Sequence, residues 1–299
     1  MANLKEVRTR IASVSSTQQI TSAMKMVSAA KFRRAQNAVI GMRPYAAQLN
    51  EIIADIDTGD GVATPYHAVR PAQNVVLVVI TSNKGLCGAF NSNVLKLANQ
   101  RIAHWRAEGA ALRLVCIGRK ASEMLARQKD LKVASYDELL DSPSFDAIAT
   151  LADTMMADFV DKSIDRVEVV YNQFRNSIAQ DLVCEQWLPV NSRESRESRN
   201  SRESRNSSES RKPSDYIFEP SKEEILREMI PLTLRSTFYR MLLDSLAAEH
   251  GARMTAMQKA TDNATELLKD LRLSYNKARQ ASITNEIIEI VSGSEALKG

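Results

Sequence analysis

The sequence predicts an α/β fold joined to a long antiparallel coiled coil made of the N- and C-terminal helices. Both chain ends are long stretches almost free of Gly and Pro, and the middle of the chain alternates apolar runs with helical stretches. The whole chain holds only 10 Gly and 8 Pro. That is too few for an all-β fold, which needs a turn every ten residues or so.

The first stretch, residues 1–58, is interrupted only by Gly41 and Pro44 and predicts one helix from Leu4 to Ile56. At 1.5 Å per residue this helix is roughly 80 Å long, more than any globular domain of this size requires. Its first apolar residues follow the 3-4-3 spacing of a coiled-coil seam: Leu4, Val7, Ile11 and Val14. From there we expect the seam to drift to Ile20, Met24 and Val27.

The last stretch, residues 215–299, has no proline after Pro231 and no glycine between Gly251 and Gly293. It predicts a second long helix, from Leu232 to Ser292. We assign its heptad seam to Met257, Ala260, Ala264, Leu267, Leu271, Ser274, Ala278, Ala281, Asn285 and Ile288. Two helices of an ordinary bundle are the alternative, but two long helices with narrow seams favour one antiparallel coiled coil.

Residues 74–190 predict a central Rossmann-like α/β domain. The run Val75–Ile80 is typical of a strand buried on both faces, and residues 112–117 and 167–171 predict two further strands. Helical stretches follow from about 91 to 107, from Lys120, and from 144 to 162. This alternation predicts parallel strands with right-handed crossovers.

Residues 191–214 contain seven Ser-initiated triplets, SRE, SRE, SRN, SRE, SRN, SSE and SRK, between 192 and 212. Their period of three matches neither a helix nor a strand, and they offer no apolar side chain to bury. We therefore expect a disordered insertion. A nucleic-acid-binding tail is the alternative, but interleaved Glu and the lack of aromatic residues disfavour it.

The turn after the first predicted strand is the most suggestive site for chemistry. Gly85 and Gly88 could let backbone N–H groups hold a phosphate, with Lys84 adding charge. Both the phosphate-loop and the dinucleotide-binding patterns are absent, so we favour a simple tight turn. Cys87 in this turn has no histidine nearby in the sequence, and we interpret it as a packed small residue rather than a nucleophile.

The other polar residues have ordinary interpretations. We expect Asp181 and Glu185 on a hairpin, Asp137 and Glu138 before a short helix, and His104 on a helix surface. The 3 Cys and 3 His lack the spacing of a zinc site or a disulfide framework. No aliphatic run is long enough to span a membrane, and the N-terminus does not resemble a signal peptide. We predict no catalytic residue, cofactor or metal, and membrane association only through a partner.

The chain ends carry a further pattern in residues 11–31 (IASVSSTQQITSAMKMVSAAK), 253–264 (RMTAMQKATDNA) and 275–290 (YNKARQASITNEIIEI). These stretches closely resemble the N- and C-terminal helices of the F-type ATP synthase gamma subunit. Residues 82–91 (SNKGLCGAFN) and Gly118–Lys120 look like motifs of that family's central domain. The resemblance therefore covers nearly the whole chain in the right order.

The resemblance implies a non-catalytic rotor whose partners are the alpha, beta and epsilon subunits and the membrane c-ring. In that family the paired helices turn inside a ring of alpha and beta, and the catalytic residues belong to beta. The resemblance also implies a peripheral protein on the cytoplasmic face of a bacterial inner membrane, with no nucleic-acid partner.

Contacts with the alpha/beta ring are implied for particular residues. The apolar tip, Ile287, Ile288 and Val291, is expected to slide in an apolar collar. The other implied contacts are Met24, Lys31, Arg33 and Arg34 near the acidic lever of beta, and Arg253, Arg279 and Gln280 near the catch region. Asn285 is a further implied contact with the ring. Tyr216 and Phe218 are the expected contacts to epsilon and the c-ring.

Two departures from the family pattern stand out. Asn285 occupies a position where the family usually has Gln, which keeps a side-chain amide but puts one polar contact in doubt. The triplet insertion contains no cysteine, so the thiol control of plant-type members is not expected. Two other classes remain open on the sequence: a coiled-coil scaffold with a ligand-binding head, and an Arg-rich nucleic-acid adaptor.

Overall fold

The computed structural model describes residues 4–56, 64–128, 130–176, 179–190, 219 and 221–296. Its helices are α1 (Leu4–Ile56), α2 (Phe90–Ala107), α3 (Arg119–Leu125), α4 (Phe145–Val160) and α5 (Lys222–Ala296). Its strands are β1 (Asn74–Ile80), β2 (Ala111–Ile117), β3 (Lys132–Ser135), β4 (Arg166–Phe174) and β5 (Gln180–Leu188). Short 3-10 helices lie at Pro65–His67 and Asp137–Leu140. The triplets, Tyr216 and Phe218 lie outside the described residues.

The predicted fold class, a central α/β sheet with long helices from both chain ends, is confirmed. Helix α1 begins and ends at the predicted residues. Helix α5 begins at Lys222 rather than Leu232, because Pro231 lies inside it instead of preceding it. A proline inside a helix leaves one carbonyl, here that of the exposed Arg227, without its usual partner, and water can hydrate a carbonyl there.

The sheet has the strand order β3-β2-β1-β4-β5. Strand β1 is parallel to β2 and β4, as predicted, and β5 returns antiparallel to β4 as the expected hairpin. Strand β3 was not predicted. It has only four residues, KVAS, with no apolar run that would distinguish it from a loop.

The chain divides into two compact units, residues 31–252 and the pair formed by residues 1–30 and 253–299. We call the first the head and the second the helix pair. In the head, one face of β1 packs Leu77 and Val79 against α2 and α3. The opposite face packs Val76 and Val78 against α4 and against the head segments of α1 and α5. This double burial explains the unbroken apolar run of β1.

In the helix pair, α1 and α5 run antiparallel. The Nε2 of Gln18 donates to the Oγ1 of Thr265 at 2.7 Å, and the hydroxyls of Thr21 and Thr261 are 2.9 Å apart. As residue numbers increase along α1, the paired residues on α5 therefore decrease in number. None of the described helices combines the length and apolar character needed to cross a bilayer.

The seam of the helix pair differs from the predicted one on both helices. On α5 the more buried positions are Met257, Thr261, Ala264, Leu268, Leu271, Tyr275, Ala278 and Ser282. Every second position of the predicted seam therefore lies one residue before the position that is buried. Leu267, which we expected in the seam, is 41% exposed. Spacings of three and four both approximate a 3.6-residue turn, so the apolar pattern alone did not decide between two neighbouring faces.

On α1 the predicted drift of the seam to Ile20 and Val27 is wrong. Both are exposed, at 60% and 58%, while the inner positions continue from Val14 through Gln18 and Thr21 to the buried Ser28. The inner positions of α1 thus keep their 3-4 spacing, and several of them are polar. The apolar side chains of Ile20 and Val27 lie outside the interface between the two helices.

Candidate functional site: exposed apolar surfaces of the helix pair

An apolar stripe of α1 lies beside the interhelical seam and outside it. Ile20, the half-buried Met24 and Val27 follow one another at i, i+4 and i+7, which places them on one face. Met26, about 100° around the helix from Val27, is 65% exposed. An exposed apolar stripe on a paired helix is suited to interaction with another molecule.

A second apolar surface covers the C-terminal turns of α5. Ile287, Ile288, Ile290 and Val291 are all more than half exposed, with Ile290 at 71%. At about 100° per residue they cover an arc of roughly 160° around the helix. Ile287, Ile288, Val291 and Ser292 line a shallow depression on this surface. We call residues 283–291 the apex.

The apex extends past the described part of its partner helix. The bonds from Gln18 to Thr265 and from Thr21 to Thr261 set a register in which Leu4 lies opposite residues 278–279. Continuing α5 to Ala296 adds about 25 Å at 1.5 Å per residue, with no described residue of α1 opposite it. The apolar side chains of the apex therefore have no counterpart within the described chain.

The predicted basic contacts lie where α1 enters the head. Phe32 is buried against Phe174 with ring centroids 5.6 Å apart, which leaves its neighbours Lys31, Arg33 and Arg34 exposed. Lys31 and Arg34 are one turn apart on the same face, whereas Arg33 lies about 100° away from Arg34. The helix therefore brings two of the three charges together.

The remaining predicted contacts fall into two groups. Arg279, Gln280 and Asn285 are exposed on α5, as a contact role requires. Arg253 is only 8% exposed and interacts within the chain itself. A side chain this buried offers little surface for the contact with the catch region of beta that the resemblance implies, and that contact stays a prediction.

The turn after β1 is closed by its own hydrogen bonds. The Ser82 hydroxyl donates to the Lys84 carbonyl at 2.7 Å, and the Ser82 backbone N–H donates to the Asn91 side chain at 3.0 Å. The Asn91 amide also lies 3.2 Å from the Cys87 sulfur. These contacts agree with the tight-turn interpretation, in which the polar groups of the turn serve the turn itself.

Parallel α/β sheets usually bind ligands at the carboxyl ends of the strands where the strand order reverses, here between β1 and β4. In this chain, buried side chains of the head occupy that position. Cys87 and Phe90 pack there against Ala248 of α5, and the buried Asn172 amide lies 3.5 Å from the Phe90 carbonyl. This packing argues against the alternative of a ligand-binding head.

The carboxylates of the head have partners that explain their positions. Asp137 accepts hydrogen bonds from Ser122 and Ser135, Asp181 pairs with Arg175, and Glu185 accepts one from Tyr171. Among the described residues, no group of three or more His, Cys, Asp or Glu could hold a metal ion. Their roles are structural.

Among the described charged residues of the head, Glu168 on β4 is the most buried, at 2% exposed. It accepts hydrogen bonds from the Nη2 of Arg101 at 2.7 Å and the Nε1 of Trp105 at 3.1 Å. Burial raises its pKa, but these bonds and the charges of Arg101 and Arg166 outweigh burial and hold the pKa below its usual value. The carboxylate stays ionised and cannot act as a general acid near neutral pH.

The thiols of Cys116 and Cys184 are not reactive nucleophiles. Burial raises the pKa of Cys116 to about 12, with the charge of Asp137 adding to it. Burial and the neighbouring Glu168 carboxylate raise the pKa of Cys184 to about 12 as well. Because the thiolate is the nucleophile, neither cysteine is activated for chemistry.

The outward apolar stripe of α1 was missed from the sequence, although a signal for it was present. The seam continues at strict 3-4 spacing through Gln18, Thr21 and Ser28, and following that spacing would have placed Ile20 and Val27 outside. The prediction followed the apolar residues instead of the spacing and therefore assigned the wrong face of α1 to the seam.

Comparison with known proteins identifies the family. A family model described as ATP synthase matches residues 3–297. The ATP synthase gamma chain of Flavobacterium johnsoniae is 48% identical over 301 residues, covering all of both chains. That of Christiangramia forsetii is 46% identical over 302 residues, again covering all of both.

Solved structures agree with this. A chain from the central stalk/c-ring structure of the Tetrahymena thermophila mitochondrial ATP synthase is 25% identical, with a TM-score of 0.58, and covers 81% of this chain and 99% of its own. A chain from the Euglena gracilis mitochondrial ATP synthase, at 20% identity, shares the fold with a TM-score of 0.69 and coverage of 98% and 94%. The chain belongs to the ATP synthase gamma-chain family.

Proposed function

We propose that the chain works as a rotor by turning its apolar apex inside an apolar collar formed by the alpha and beta subunits. As a gamma chain it is the non-catalytic central-stalk subunit of an F-type ATP synthase, whose catalytic sites are on beta. The observation that carries the proposal is the exposed apex, Ile287, Ile288, Ile290 and Val291, with no described partner helix opposite it.

An apolar tip suits continuous rotation. Each hydrogen bond between the tip and its sleeve would have to break during a turn, at a cost of about 1 kcal/mol or more. Apolar contact has no preferred direction, so the burial energy of the apex changes little with angle. The apex is thus held in its collar while remaining free to turn.

Lower on the chain, the proposed contacts are directional. Lys31 and Arg34 share a face and are exposed, so they can meet the acidic lever of beta as it moves. Met24 lies on the apolar stripe two turns earlier, and Arg33 extends the basic surface sideways. Arg279 and Gln280 offer polar groups below the apex for the catch region of beta, and Asn285 offers a side-chain amide within the apex for a contact with the ring.

Other partners and the location follow from the same proposal. The chain would join the epsilon subunit and the c-ring, with Tyr216 and Phe218 as candidate contacts, and ion flow through the ring would turn it. The family places it with a membrane-associated complex as a peripheral subunit. We assign that complex to the cytoplasmic face of a bacterial inner membrane.

Purification by an affinity tag on this chain tests the proposal. The alpha, beta and epsilon subunits should co-purify and hydrolyse ATP, whereas the chain alone should not. Inverted membranes that carry the tagged chain should pump protons when ATP is added. A tagged chain that is folded but recovers none of these subunits would contradict the rotor function.

A further inference from the structure

Helix α5 is tied to the head by ion pairs on two opposite flanks. On one flank the Nε of Arg235 donates to the Oδ1 of Asp153 of α4 at 2.6 Å. On the other, the Nη2 of Arg240 lies 3.5 Å from the Oε2 of Glu185 of β5. Five residues of helix correspond to about 500°, so the two arginines project about 140° apart around the α5 axis.

The Glu185 flank is a partly buried network. The Tyr171 hydroxyl on β4 donates to the other oxygen of Glu185 at 3.0 Å, and Arg240 also contacts Asp244 at 3.2 Å. Burial lowers the pKa of Arg240, but Tyr171, Glu185 and Asp244 outweigh burial and raise it above its usual value. The guanidinium therefore stays charged and bound between α5 and the sheet.

Aromatic contacts follow the same two-sided arrangement. Tyr239 meets Phe145 of α4 edge-on, with ring centroids 5.5 Å apart and an interplanar angle of 89°. Phe238 lies 5.1 Å from Trp187 of β5, and the Nε1 of that tryptophan donates to the Leu234 carbonyl at 3.2 Å. Beyond this turn, every residue from Met241 to Glu249 is buried, so the head encloses the helix completely.

We propose that the Arg235–Asp153 and Arg240–Glu185 pairs act as opposed restraints that stop α5 from turning about its own axis within the head. Apolar packing around a helix is weakly directional, whereas an ion pair at the end of a long side chain acts on a lever arm outside the helix cylinder. Turning α5 about its axis carries each guanidinium sideways, away from the carboxylate that it is paired with. Arg235 and Arg240 are therefore positioning residues: they hold α5 at a fixed angle within the head, so that torque passes from the head to the helix.

This inference rests on the proposed rotor function. Helix α5 continues without interruption from Lys222 in the head to Ala296. Rotation of the head is passed on by α5 only to the extent that the helix does not slip inside it. The opposed ion pairs would set the torsional stiffness at this point.

The variant Arg235→Met tests the proposal in the assembled complex, because it keeps the apolar stem and removes one restraint. Arg113→Met is a matched control. Arg113 of β2 pairs with Asp158 of α4 at 2.6 Å and similar exposure, so this pair does not involve α5. The alpha/beta ring is immobilised on a surface and stalled by nucleotide, and a probe is attached to the head. The readout is the width of the distribution of angles that the probe takes up about the rotor axis.

Arg235→Met should widen this angular distribution relative to the parent, and Arg113→Met should leave it unchanged. Exchanging the charges, with Asp153→Arg and Arg235→Asp together, should restore the narrow distribution. Should Arg235→Met fail to assemble, Asp153→Asn removes the same ion pair and gives the same readout. A distribution no wider than that of the Arg113→Met control, or no rescue on exchange, overturns the proposal. Failure of the unmodified chain to assemble would instead contradict the rotor function.

Discussion

Gln18 and Thr265 are 247 residues apart in the sequence, yet the Gln18 amide donates to the Thr265 hydroxyl at 2.7 Å across the helix pair. That hydroxyl in turn donates to the Thr261 carbonyl at 2.8 Å. The bond therefore couples a side chain of α1 to the backbone of α5. Polar contacts of this kind between paired helices specify their register.

The Gln18–Thr265 bond should be measurable by a double-mutant cycle with Gln18→Leu and Thr265→Val. We expect a coupling of about 0.5–1 kcal/mol in the free energy of unfolding of the full chain, typical of one net hydrogen bond. Gln19, which is exposed on the next position, provides the control. A Gln19→Leu cycle with the same Thr265 variant should give no coupling. Equal values in both cycles would count against the register contact.

Ile288→Asp should separate the role of the apex from its effect on folding. Because Ile288 is 58% exposed in the chain alone, the substitution should leave the unfolding midpoint of the isolated chain nearly unchanged. In the complex an unpaired carboxylate buried in the collar costs several kcal/mol, so assembly or ATP-driven proton pumping should fall. The control is Lys120→Ala on the head. Equal pumping by the two variants would refute the proposed position of the apex.

Glu168→Gln should destabilise the head in a pH-dependent way. Since the folded pKa of Glu168 lies below its usual value of 4.5, its ionised form stabilises the fold above pH 4.5. This contribution disappears as the pH falls through the folded pKa. Removing the charge leaves Arg101 and Arg166 without their buried partner, at a cost of about 3 kcal/mol near pH 7.

Urea unfolding of the two chains at a series of pH values checks the Glu168 prediction. The stability difference between parent and variant should be largest near neutral pH and shrink below pH 4.5. A difference that stays constant, or grows, as the solution is acidified would contradict the assignment of a lowered pKa.

Gly118→Ala should destabilise the junction between β2 and α3. Gly118 has a φ of +112°, and an added Cβ would lie 2.9 Å from the Thr81 Oγ1 and closer still to the Thr81 carbonyl. Backbone strain and this clash together should cost about 2 kcal/mol or more. Gly85→Ala is the control, because a Cβ there meets open space. Similar thermal midpoints for the two variants would show that the junction relaxes freely.

The sequence by itself determined the parts of this fold that depend on short-range order. The boundaries of α1, the strand β1 and its parallel partners, and the tight turn around Cys87 all follow from periodicity and local residue type. The family was also recognisable, because its motifs are contiguous. These features need only neighbours within a few residues, so a linear pattern is sufficient to predict them.

Only the tertiary structure decided which face of each long helix is the inner one. Ile20 and Val27 point outward and Gln18 and Thr21 inward, because the position of the partner helix selects the seam from two adjacent faces of similar spacing. The pair formed by Arg235 and Asp153 could not be predicted either, since its members are separated by 82 residues and nothing in the sequence around either one indicates a partner. Local periodicity sets a helix, but contacts between distant residues set its orientation, and those contacts exist only once the chain has folded.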